Sequence, residues 1–135
     1  MGWTTPKTWA VGDPGTASDL NTYIRDNSAY LYGDTAWNSV TFTNSWGAAS
    51  SYSVGYRRIG AEVALKGTVT GGANGTSIFT LPTGYRPLQQ SNTASQTPAT
   101  GTTCYIAVAA AGTVTVQGIS GTPNVTLDGV RFSLI

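Results

Sequence analysis

The sequence predicts a mainly β protein: an antiparallel β-sandwich or jelly-roll-like knob over residues 38–135, preceded by an N-terminal arm and one short α-helix within residues 1–37. Three observations carry this. From Val40 onward apolar side chains recur at every second residue, the period of a half-buried strand. About eight or nine such stretches are separated by Gly-, Pro- and Asn-rich turn signals, as in sandwiches. Helical spacing is confined to residues 16–32.

Residues 1–15 are rich in Gly, Pro, Thr and Trp and read as an arm without regular structure. Trp3 and Trp9 would each bury about 150–250 Å² on docking, so the arm either seats on a neighbouring subunit or folds back on its own domain. In the helix, Thr16 or Ser18 serves as N-cap and Asp19 lies in the first turn. Leu20, Tyr23, Ile24 and Leu31 share a stripe, and Gly33 is placed as the C′ residue. A helix of about 15 residues is marginal alone. Its stripe needs a cover, either a symmetry mate or the chain's own sheet.

The strands follow in order. Val40 and Phe42, then Tyr52, Val54 and Tyr56, alternate with small or polar residues. Residues 62–70 put Val63, Leu65, Gly67 and Val69 on one face, and Gly71-Gly72-Ala73-Asn74-Gly75 reads as a hairpin into a strand at 76–81. In Leu81-Pro82-Thr83-Gly84-Tyr85-Arg86-Pro87 the prolines fix φ and Gly84 supplies a positive φ, presenting Tyr85 and Arg86 on a stiff corner. A strand at 88–92 and a Ser/Thr/Pro-rich loop to Gly101 come next. Strands at 102–109, 113–117, 124–127 and 130–135 complete the domain, with no crossover helix.

At 135 residues the chain is one domain with a short appendage. Seven Lys and Arg against six Asp and Glu leave a net charge of +1, which argues against nucleic acid and anionic membrane as partners. Charged residues make up 10%, well below the roughly 25% of an average domain. Thr, Ser, Asn and Gly must cover the surface, a composition suited to an oligomer packed on a larger assembly. Cys104 is single and reads as core. No segment reaches a membrane span of about 20 apolar residues, and no export signal is expected.

With no histidine and one cysteine, Ser-His and Cys-His nucleophile pairs and the usual zinc sets are excluded. A carboxylate pair of the glycosidase kind would rest on Glu62 and Asp128, for which strand-edge and turn roles are simpler. The expectation is a non-enzymatic protein with no cofactor and no metal. Trp46, Tyr52, Tyr56 and Tyr85 are aromatic candidates for stacking on a sugar. Of these, Tyr56 and Tyr85 are assigned to the core or to an inter-subunit axis, leaving Trp46 and Tyr52 as glycan contacts. Tyr85, Arg86 and Pro87 are the candidates for a subunit contact at the corner.

The Leu81 to Pro87 run, preceded by Ile78-Phe79-Thr80 and by Tyr56-Arg57-Arg58-Ile59-Gly60 with Val63-Ala64-Leu65-Lys66-Gly67, resembles small β domains in surface proteins of tailed bacteriophages. Trp9-Ala10-Val11-Gly12-Asp13-Pro14-Gly15-Thr16-Ala17-Ser18-Asp19-Leu20-Asn21-Thr22-Tyr23-Ile24-Arg25-Asp26-Asn27 is similar to the opening segment of many short phage virion proteins, especially of phages infecting actinobacteria. The resemblance implies a homotrimeric knob on the particle surface, made in the host cytoplasm. Its anchor and oligomer interface would be Trp3, Trp9, Leu20, Tyr23, Ile24 and Leu31. An arm leading directly into a knob suits a capsid decoration protein whose main partner is the major capsid protein. The alternative is a tail-fibre or tail-tip protein that binds host-wall carbohydrate. Outside the virion, a free carbohydrate-binding module is the competing class.

Overall fold

The computed structural model describes residues 3–32 and 36–135. It is mainly β, with eleven short strands in three antiparallel sheets and one helical segment ahead of them. Thr16 caps the helix through a capping box: its hydroxyl accepts from the Asp19 N–H while the Asp19 carboxylate accepts from the Thr16 N–H. The segment runs as α1 (Ala17–Leu20), a π-helical stretch (Asn21–Asp26) and α2 (Asn27–Tyr32). The wider π turn rotates the apolar stripe out of α-helical phase. The expected C′ position, Gly33, lies outside the described residues.

The strands are β1 (Asn38–Ser39), β2 (Gly47–Ala48), β3 (Gly55–Ile59), β4 (Glu62–Lys66), β5 (Thr68–Thr70) and β6 (Ser77–Thr80). They continue with β7 (Ser91–Gln96), β8 (Thr103–Val108), β9 (Thr113–Gln117), β10 (Val125–Thr126) and β11 (Arg131–Ser133). Sheet order is β1-β3-β4-β11 in the first, β10-β5-β2 in the second and β6-β9-β8-β7 in the third. The inner faces supply one core: Val63, Leu65 and Phe132 from the first, Val69 and Val125 from the second, and Ile78, Phe79, Ile106, Val108, Val114 and Val116 from the third. This is the sandwich-type knob that the alternating pattern predicts.

Several boundaries differ from expectation, each for a local reason. Residues 62–70 are not one strand. Gly67, at φ +98°, bends the chain so that β4 and β5 enter different sheets, and its N–H donates to Asp128 Oδ1 at 2.9 Å. Residues 71–75 are not a hairpin but a passage from the second sheet to the third. The strand expected at 88–92 forms instead at 91–96, within the expected loop. That stretch, Ser-Asn-Thr-Ala-Ser-Gln, has no apolar alternation and is recruited to the sheet edge by its ladder with β8. Around Val40, Phe42 and Tyr52, the expected strands shrink to the two-residue β1 and β2. Gly84 adopts φ +92° in the Pro82 to Tyr85 turn, as the corner requires.

Candidate functional site

The arm is tied to the helix by a reciprocal pair: the Thr4 N–H donates to Asn27 Oδ1 at 2.9 Å, and Asn27 Nδ2 donates to the Thr4 carbonyl at 2.7 Å. Asn27 is buried by this clasp. A turn from Ala10 to Asp13 is closed by the Asp13 carboxylate, and Lys7 lies 4.4 Å from the Trp9 ring centre. The arm thus folds back on its own helix. Trp3 and Trp9 nevertheless remain 49% and 45% exposed.

The helix touches the knob mainly through its last turn. Arg58 stacks on Tyr30 at 4.6 Å, and Gly60 is packed so closely under the Leu31 carbonyl that a Cβ there would lie 2.7 Å from it. Leu20, Ile24 and Leu31 stay about half exposed and Tyr23 is partly buried. Beside this junction, Arg57 and Lys66 both lie 4.7 Å from the Trp37 ring centre. The Thr16 hydroxyl and backbone bonds hold the Asp19 carboxyl below its usual pKa, and the Asp26 carboxylate raises Arg25.

At the corner, Tyr85 meets Tyr56 edge to face, ring centres 4.9 Å apart at 75°. Burial pushes the Tyr56 phenol pKa up, with Tyr85 adding to it. Both rings pack against the core of their own knob. Arg86 Nε donates to the Leu81 carbonyl at 2.8 Å, bracing the turn from inside, and Pro87 is buried within the chain. Arg86 and Pro87 therefore serve as internal struts of their own knob.

Trp46 is a correction to the expected glycan contacts. It is 4% exposed, its indole N–H donates to Thr76 Oγ1 at 2.9 Å, and its ring fills the space above Gly72. A side chain so enclosed offers no stacking face, whereas Tyr52 is 54% exposed. The sequence reading missed Tyr105, Trp37 and Tyr30. Tyr105 has a signal in hindsight: it occupies the opposite strand parity from Cys104, Ile106 and Val108, all buried, and so points outward at 43% exposure. Among the described residues, two of the shallow clefts lie on the knob. One, of about 340 Å³, is lined by Ala94, Ser95, Gln96, Thr103, Thr126 and Asp128. The other, of about 320 Å³, lies between residues 87–91 and the final strand.

Among the described residues, no helix is long and apolar enough to cross a membrane. The class that emerges is an antiparallel β-knob carrying a capped helix and a clasped aromatic arm. No protein-family model matches the chain, and no curated protein matches it. The structure is similar to the crystal structure of the receptor binding protein (gp15) of Listeria phage PSA, with a TM-score of 0.62 at 20% identity over 80% of this chain and 69% of that one. At this identity the likeness establishes a shared fold.

Proposed function

We propose that this chain is a non-enzymatic surface protein of a bacteriophage particle, self-associating and anchored through its arm and helix, with the knob turned outward to bind the host. One observation carries the reading: among the described residues, seven of the eleven exposed large apolar side chains fall between Trp3 and Trp37. Apolar area gathered on one appendage marks a surface that another protein covers. The symmetric trimer implied by the sequence resemblance is the state proposed for that cover.

Receptor binding is favoured over capsid decoration because the structurally similar protein is itself a phage receptor binding protein, and the likeness takes in 80% of this chain. Host-wall glycan is accordingly the proposed external partner, and the remaining virion proteins are the internal ones. Immunogold electron microscopy of intact particles with an antibody to this chain tests the reading. Label at the tail tip is expected. Label spread over the capsid shell would assign decoration and redirect attention to the major capsid protein, and unlabelled particles would overturn the virion reading altogether.

A further inference from the structure

Resting on the reading of the knob as a host-binding element, we infer that its ligand site is the outer face of the β6-β9-β8-β7 sheet around Tyr105, continued over the β7 edge into the Asp128 cleft, and that its ligand is an uncharged glycan. The pairing register defines the surface. Tyr105 stands opposite Ala94 on β7 and Gln117 on β9, while Gln96 stands opposite Thr103. Ala94 has only a methyl group, so the 43% exposed Tyr105 stands beside a small neighbour, with the Gln96 and Gln117 amides at nearby register positions. Ala94, Gln96 and Thr103 also line the 340 Å³ cleft, which makes platform and cleft one continuous surface.

The chemistry is that of sugar recognition. A half-exposed phenol ring offers an apolar face to the C–H side of a pyranose. Amides, hydroxyls and a carboxylate offer paired donors and acceptors to vicinal hydroxyls. These groups are already oriented. The Ile119 N–H donates to Asn74 Oδ1, and Asn74 Nδ2 donates to Gln117 Oε1 at 3.4 Å, aiming the Gln117 amide. Ser95 Oγ donates to the Thr126 carbonyl at 2.7 Å. The Asp128 carboxylate accepts from the Gly67 N–H and from Thr126 Oγ1, which uses two of its roughly four acceptor positions. Polar groups fixed on strands lose little entropy when a ligand arrives.

Charge sets the specificity. None of the residues named on the platform or lining the cleft is Lys or Arg, and Asp128 is anionic. A phosphodiester-linked polymer would be repelled there, whereas a neutral hexose or N-acetylhexosamine would not. The full chain is tested on an array of neutral hexose, 6-deoxyhexose and N-acetylhexosamine oligosaccharides, with poly(glycerol phosphate) as the anionic probe. Expected are binding to at least one neutral probe, none to poly(glycerol phosphate), and an affinity unchanged between about 0.05 and 0.5 M salt. Tyr105→Ala should weaken that binding at least roughly tenfold, Gln96→Ala should weaken it less, and Tyr52→Ala should leave it unchanged. The inference is overturned if no neutral probe binds, if poly(glycerol phosphate) binds in a salt-sensitive way, or if both Tyr105→Ala and Gln96→Ala bind as the unaltered chain does. Such a failure leaves the particle-labelling result untouched, so the site and the virion reading fall separately.

Discussion

Replacing Gly72 by Ala isolates a single steric contact. The added methyl would sit 2.1 Å from Trp46 Cε2 and Nε1, closer than atoms can approach, and Gly72 has no left-handed φ to confuse the result. Two routes relieve the clash. Expelling Trp46 forfeits the burial of about 150–250 Å², worth about 4–6 kcal/mol at roughly 25 cal/mol per Å². Shifting the ring and the neighbouring backbone costs about 1–3 kcal/mol, as overpacked cores do. The chain takes the lesser cost, so the expected loss is about 1–3 kcal/mol, or a Tm lower by about 4–12 °C at roughly 4 °C per kcal/mol. A double-mutant cycle read by urea denaturation supplies the control. Trp46→Ala alone should cost about 3–5 kcal/mol, and Gly72→Ala added to it should cost almost nothing because the methyl then has room. A Gly72→Ala penalty that persists undiminished in the Trp46→Ala background would refute the steric account.

Three further outcomes are expected. Leu20→Asp with Ile24→Asp should leave the knob's melting transition in place while light scattering reports a monomer; an unchanged oligomer mass would remove the helix stripe from the interface. A Cβ added at Gly84 meets no atom within 4 Å, so the cost expected of Gly84→Val is mainly the backbone strain of φ +92°, about 1–2 kcal/mol; an unaltered melting curve would show that the turn does not need that conformation. The Asp19 carboxyl, lowered by its bonds to Thr16, stabilises the helix start above the ordinary carboxylate pKa, and that contribution is lost as pH falls through the depressed value. Helical circular dichroism should therefore fall only below about pH 4, and a decline centred near neutrality would contradict the capping role.

What the sequence made legible was local. Turn chemistry placed Gly84 and narrowed the cap to Thr16 or Ser18, of which Thr16 is the cap, because a positive φ and a cap depend on a few neighbouring residues. Strand β9 appears at its predicted limits, since Thr-Val-Thr-Val-Gln alternates cleanly. Strand β7 was hidden because Ser91, Asn92, Thr93, Ser95 and Gln96 form a strand only in response to β8, and pairing is not written in composition. The same applies to the proposed binding surface. Strand parity marks Tyr105 as outward, but Trp46 lies outside any strand, and its enclosure by the chain shows only in the fold. The grouping of Asp128 with Gln96 and Thr103 depends on the meeting of sheet edges, which residue spacing does not encode.

The bend at Gly67 also has a meaning in time. It joins two sheets, and its seal is the carboxylate of a residue 61 positions later. Strand β4 likewise awaits β11, and β5 awaits β10, whereas β7 and β8 each pair with the next strand in the chain. During synthesis the meander can form as soon as it emerges, but the first two sheets stay open until residues beyond Val125 have appeared. The open edges of β4 and β5 are thus exposed from their own synthesis until β10 and β11 emerge, and pairing with those two strands ends that interval.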